Sequence, residues 1–352
     1  MMKEKTKEDR VNTVYGGGGH VVILGAGASI AATKRDPELT GKKLPCMNDF
    51  VDVVGLLDIV EGLPINLRAS NFEELYSKLH ANNPESVSIK EIQRRVYSYF
   101  KDMRLPNRPT IYDYLVLALR PRDIIATFNW DPFLFQAWNR NRHVGDYPYI
   151  AFLHGCVSLG YSKEEKFSGP SGSYSKKTGN YFDPTKLLFP ITKKNYNDDE
   201  FTKSQWDMLS NFLSDKVVRR LTIFGYGAPS TDVEAIEALN KAWGTGDDRN
   251  MEQFEIIDVR PEGELVATWG NFINTHHYDY ATDYFESSLA YNPRRTFESY
   301  YQHNFPNTPS DSFSASNPVP SNFETLEELW NWHKDLVEAE KEYYKSRAKK
   351  DG

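Results

Sequence analysis

Two short polar clusters stand directly after apolar runs. Asn129-Trp130-Asp131-Pro132 follows residues 124–128, and His154-Gly155 follows residues 149–153. A carboxamide such as that of Asn129 donates and accepts hydrogen bonds but cannot act as a general base, so its chemistry would be to hold a water or a hydroxyl. His154, with an ordinary pKa of about 6.5, can take up and return a proton near neutrality. Each has a plainer reading as well. A single His after a strand is commonly a hydrogen-bonded fold residue, and Asp131 before Pro132 is common turn chemistry.

A third feature has a different character. Residues 21–24 (Val-Val-Ile-Leu) run straight into Gly25-Ala26-Gly27, then Ala28 and Ser29. This pattern reads as a buried strand ending in a turn whose backbone can approach a ligand closely. Amide N–H groups there, with a helix starting near Ser29, would suit a pyrophosphate. A dehydrogenase fingerprint would need a third glycine where Ile30 stands, and no acid-terminated strand follows about twenty residues later. The plain alternative is a strand-to-helix connection without a ligand.

These clusters need a scaffold that brings strand ends together. Strands are expected over residues 21–24, 123–128, 149–153, 221–224 and 254–259. Helices are expected over residues 51–60, 111–119, 137–141 and 201–213, with a further one beyond Asp232 through Ala242. The alternation predicts an α/β fold, a Rossmann-like, mostly parallel sheet. Residues 71–100 repeat apolar positions at helical spacing, Asn71 has the look of an N-cap, and a helical insert module is expected at about 55–120. Ligands of open parallel sheets sit outside the strands' carboxyl ends, so Asn129 and Asp131 should lie beside the glycine turn if their strands are neighbours. The strand ends also offer Gly225, with Asp232 beyond it, and Asp258. The last two are candidates for ribose contact or for helix capping.

Other segments are expected to stand apart. Residues 1–19 read as a flexible lead-in, 33–43 as a polar flap and 160–200 as a mobile excursion. Residues 303–322 read as a Pro- and Ser-rich linker, and 323–352 as a terminal helix. Its stripe of Leu326, Leu329, Trp330 and Leu336 is expected to dock on another protomer or a regulatory protein, making a homo-oligomer; folding back is the alternative.

The 352 residues carry a formal net charge of −7, which argues against direct, bulk nucleic-acid binding. Only Cys46 and Cys156 are present, so neither a disulfide framework nor a clustered zinc site is expected; of the dispersed histidines only His276 and His277 adjoin. The first ten residues are charged and lack a leader's apolar core, and no run reaches the ~18 apolar residues of a membrane span, so a cytoplasmic protein is expected.

Taken in order, Gly25-Ala26-Gly27-Ala28-Ser29, Thr127-Phe128-Asn129-Trp130-Asp131, Leu153-His154-Gly155 and Phe224-Gly225-Tyr226-Gly227 resemble the signature segments of the sirtuin (SIR2) superfamily, over roughly residues 20–290. The resemblance implies a SIR2-like NAD-binding domain over residues 20–302. Gly25, Ala26, Gly27 and Ser29 would hold the pyrophosphate of NAD. Asn129 and Asp131 would sit around the nicotinamide ribose and amide, and His154 would deprotonate a ribose hydroxyl. Gly225 and Asp258 would complete the cofactor contacts, with no metal. The chain departs from protein-deacylating sirtuins in lacking their two Cys pairs, in having Phe128 and Trp130 where Gln and Ile are usual, and in lacking a Pro-Asp-Phe-Arg run, of which Asn48-Asp49-Phe50 is a partial echo. The pattern looks closer to SIR2-like NADases of bacterial anti-phage defence, which often work with a HerA-like ATPase or an Argonaute-type protein. The expectation is an NAD+ glycohydrolase giving nicotinamide and ADP-ribose. The alternatives are a non-catalytic NAD or ADP-ribose sensor and a zinc-free deacylase.

Overall fold

A computed structural model describes residues 14–15, 18–191, 194–229, 232–247, 249, 252–274, 278–304 and 316–349. Gly16, Gly17, His276, His277, Pro306 and Pro309, about which the sequence raised expectations, lie outside the described residues.

Six parallel strands form the main sheet, in the order β3-β2-β1-β7-β8-β9. They are β1 (Gly19–Leu24), β2 (Ile124–Thr127), β3 (Tyr149–Phe152), β7 (Val218–Phe224), β8 (Gln253–Ile257) and β9 (Tyr278–Ala281). All of β1 is buried, as expected of a strand covered on both faces. Its alternate residues serve two cores: Val22 and Leu24 enter one, Val21 and Ile23 the other. The chain builds outward from β1 to β3, then returns to β7 on β1's other side. That doubly wound order puts a switch point between the carboxyl ends of β1 and β7, where a crevice is expected.

The crossover from β1 to β2 carries half of the α-helices among the described residues. Its Phe72–Asn82 helix is capped by Asn71, whose side chain accepts from the amides of Glu73 and Glu74, as its sequence suggested. The Val87–Lys101 helix is capped by Ser86. This helical segment packs on the sheet, its Leu75, Leu79, Ile92 and Val96 joining the same core as Val22 and Leu24. The run 51–60 forms two short helices, Phe50–Val54 and Leu57–Glu61, because Gly55 turns left-handed at φ +76°.

Several expectations are corrected by packing. The first helix, Ala26–Thr33, starts three residues before Ser29, with Gly25 as its N-cap. The polar flap holds a short helix, Pro37–Thr40, and is pinned by Arg35 pairing with Asp49 and donating to Leu44 O. The excursion after β3 contains a small antiparallel sheet of β4 (Leu159–Ser162), β5 (Phe167–Pro170) and β6 (Asp183–Pro184). Gly160 and Gly169 leave the space that Phe182 fills. Val14 is buried and the Tyr15 amide donates to Glu298, so the end of the lead-in is docked. β9 and the Glu262–Trp269 helix had no counterpart in the sequence reading.

The terminal helix, Leu326–Ala348, starts with a capping box of Thr325 and Glu328. It folds back on its own chain, against expectation. Leu329, His333, Leu336 and Val337 are buried, and Trp330 Nε1 donates to Asn141 Oδ1 at 2.6 Å. Buried Glu340 accepts from Arg294 and Arg295. The linker's far end is tied down too, its Asn317 and Val319 amides donating to Tyr291 O and Ala290 O. Of the apolar stripe, Leu329 and Leu336 are thus buried against the chain itself, and Leu326 and Trp330 are half-buried. Among the described residues no helix is long and apolar enough to cross a membrane, and no cluster of three metal-ligating side chains occurs.

Candidate active site

The switch point is held shut on its protein side by glycine. Gly25 N donates to Phe224 O at 3.0 Å and Gly27 N to Gly225 O at 2.9 Å. A Cβ on Gly25 would lie 2.5 Å from Tyr226 Cα, one on Gly27 2.6 Å from Gly225 Cα, and one on Gly225 2.4 Å from Ala28 N. The glycines thus let the exits of β1 and β7 touch. This corrects the expectation that the Gly25 and Gly27 amides face a pyrophosphate, since both are already bonded. What remains for an anion is the positive end of the Ala26–Thr33 helix, which has neither a capping side chain nor an acid in its first turn.

Beside this turn, β2 delivers Asn129, as its pairing with β1 requires. Asn129 Nδ2 donates to Gly25 O at 2.8 Å, Ser29 Oγ at 3.0 Å and Tyr112 OH at 3.2 Å. Ser29 Oγ donates to Asp131 Oδ2 at 2.6 Å and lies 2.6 Å from Tyr112 OH. The other carboxylate oxygen of Asp131 accepts from Phe133 N at 3.1 Å, at the start of the Phe133–Asn141 helix. Burial pushes the Asp131 carboxyl up to about 6, partly offset by the Ser29 hydroxyl. Asp131 thus closes a turn and also lines the cavity.

His154 follows β3 and is only 6% exposed. Phe128 meets its ring edge-on with centroids 4.8 Å apart, and Tyr196 stacks over it at 6.1 Å. Burial holds the imidazole down to about 4, so His154 is neutral at pH 7; Asp232 opposes this shift and Lys194 adds to it. Its Nε2 is buried without a hydrogen-bond partner. Asp232, a candidate for ribose contact or capping, stands at the N-cap of the Val233–Trp243 helix without a side-chain cap bond; it pairs with buried Lys194 and accepts from Tyr226 OH at 2.9 Å. The Tyr226 ring stacks on Phe128 at 4.0 Å, which links this polar pair to the wall beside His154.

One cavity of about 280 Å³ lies at the switch point. It gathers Gly25, Ala26, Ser29, Asn129, Asp131, His154 and Gly225 of the expected site, with Lys194, Tyr226 and Asp232 added. Gly27 lies behind its wall. Asp258 is at the end of β8 but outside the cavity, its carboxylate held by Arg260 at 2.7 Å and by the Arg260 amide at 3.0 Å. Of the residues that sequence reasoning missed, Tyr226 stood inside a quoted segment. Tyr112 and Lys194 gave no signal, one lying on a buried helix face and the other in a polar loop. The arrangement pairs a fixed carboxamide with a neutral imidazole in a largely apolar cleft, which suits positioning a hydroxylic nucleophile and accepting its proton.

No family model matches the chain, and no curated protein matches it in sequence. Among solved structures, a Sir2 homologue in complex with NAD matches at 13% identity with a TM-score of 0.38, over 80% of this chain and 90% of that one. A triple variant of a Sir2 homologue in complex with 2'-O-acetyl ADP ribose gives 14% identity and 0.38, over 79% and 90%. A serine-to-alanine variant with ADP ribose gives 12% and 0.35, over 72% and 85%. The chemistry of the site rests on its own residues.

Proposed function

We propose that this chain is a SIR2-like NAD+ glycohydrolase, cleaving NAD+ to nicotinamide and ADP-ribose. The observation that carries the reading is the meeting of Asn129 and neutral His154 in one cavity at the switch point of a doubly wound sheet. Nicotinamide is a cationic leaving group in NAD+, so the glycosidic bond breaks with the electron pair passing to nitrogen and needs no general acid. Water supplies the new C–O bond and loses a proton. The Asn129 carboxamide orients the water or the ribose hydroxyl, and His154 Nε2 or Nδ1 can accept a proton without first losing one at pH 7. The open end of the Ala26–Thr33 helix faces the diphosphate, while Gly225 shapes the contact between strand exits.

The order of the signature segments extends the proposal to NAD+ depletion in anti-phage defence, restrained by a partner such as a HerA-like ATPase or an Argonaute-type protein. Assembly as a homo-oligomer belongs to the same proposal, without the terminal helix as its contact. The deacylase alternative requires an acyl-lysine to reach His154, whose ring lies beneath Tyr196 and against Phe128. The test is to compare nicotinamide release by Asn129→Ala and His154→Ala with the parent, and to measure NAD+ binding by calorimetry. Loss of release with binding retained supports the enzyme. Unchanged turnover in either variant overturns the site assignment, and binding without turnover in the parent favours the sensor.

A further inference from the structure

The two ends of the Asn129 carboxamide are not equivalent. Gly25 O can only accept, so the group facing it at 2.8 Å must be the amide nitrogen. The second N–H of Nδ2 is shared between Ser29 Oγ and Tyr112 OH. Among the described residues, no hydrogen bond holds Asn129 Oδ1, and Asn129 lines the cavity. The oxygen is thus the end left for a ligand.

What fixes this orientation is a chain of hydroxyl groups whose direction can be worked out. Ser29 has one proton and gives it to the Asp131 carboxylate, so Ser29 Oγ must accept from its other neighbours. Tyr112 therefore donates to Ser29 Oγ and, in turn, accepts from Asn129 Nδ2. Tyr112 is fully buried in the Ile111–Leu117 helix and does not line the cavity. It meets neither the cavity nor solvent.

We propose that Tyr112 is a positioning residue, whose hydroxyl holds the Asn129 carboxamide with Nδ2 toward the glycine turn and Oδ1 toward the cavity. The inference rests on the reading of that cavity as an NAD-cleaving site. It assigns Oδ1 as the acceptor for the nucleophile's hydroxyl. It also makes the Ser29–Asp131 pair the support of Asn129 through a proton chain as well as a turn.

Tyr112→Phe removes the hydroxyl and keeps the ring. Its kcat for nicotinamide release should fall roughly tenfold, the scale of one lost hydrogen bond at a reacting group, with KM within about twofold of the parent. With methanol added at fixed concentration, the ratio of methyl ADP-riboside to ADP-ribose should rise, since a loosened carboxamide selects less strictly for water. A change in folded fraction alone would move neither KM nor that ratio. Selective 15N-asparagine labelling gives a readout independent of turnover: the Asn129 side-chain NH2 pair, assigned by its loss in Asn129→Ala, should be protected from exchange and should shift in Tyr112→Phe. Unchanged kcat, product ratio and NH2 resonances in Tyr112→Phe would overturn the positioning role. If Asn129→Ala itself retains full activity, the reading of the cavity fails, whatever the amide resonances show.

Discussion

Glycine at 225 should be irreplaceable while glycine at 227, two residues on, should not. Gly225 has φ +60°, where a side chain costs about 1–2 kcal/mol. Its added Cβ would sit 2.4 Å from Ala28 N and 2.5 Å from Gly27 C, both backbone atoms of the opposite strand exit. Relief requires the first helix to move by about 1 Å against the buried core, which is comparable to overpacking at about 1–3 kcal/mol. The sum for Gly225→Ala is about 2–5 kcal/mol, or roughly 3–7 °C in Tm for a chain of this size. Gly227 offers a control in the same loop. Its added Cβ would meet only Arg260 Nη1, at 3.7 Å, so Gly227→Ala should stay within about 0.5 kcal/mol. Thermal unfolding of both variants, with NAD+ binding measured below the transition, is the assay. Equal melting temperatures for the two variants would refute the account of how the strand exits meet.

Glu340→Gln should destabilise the protein by about 3–5 kcal/mol in urea unfolding, because it leaves Arg294 and Arg295 buried without their shared carboxylate; a loss below about 1 kcal/mol would mean that the terminal helix is not held as described. The pH profile tests His154. Its neutral form acts and burial holds its pKa to about 4, while the Asp131 carboxyl that anchors Ser29 is pushed up to about 6, so kcat/KM should stay level from pH 8 to about 7, fall through a limb near 6 as Asp131 is protonated, and fall again only as the pH approaches 4. A limb near 6.5 that Asp131→Asn leaves in place would show an imidazole exposed to solvent instead.

The sequence yielded the strands that position the site because parallel strands buried on both faces are short, unbroken apolar runs, as in residues 21–24. Placing Asn129 beside the glycine turn needed only the adjacency of β1 and β2. What failed was anything set by contacts distant in sequence. The glycines looked like room for a ligand, but their space is taken by Gly225 and Tyr226 across the switch point. The terminal helix looked uncovered because the residues covering it, such as Asn141 and Arg294, lie far back in the chain. β9 was missed because Tyr278–Ala281 lies at the sheet's edge with only Ala281 buried, and lacks the apolar run that marks an interior strand. The Lys194–Asp232 pair joins a polar loop to a strand exit, a contact that no local pattern announces.

The central claim is that this cavity hydrolyses NAD+ unaided by a second substrate. The most direct measurement is a chromatographic time course of purified protein with NAD+ alone, quantifying nicotinamide and ADP-ribose together. Equimolar appearance of the two is expected, at a rate above that of the Asn129→Ala variant. Intact NAD+ in the parent, or nicotinamide release only when an acylated peptide is supplied, would contradict it.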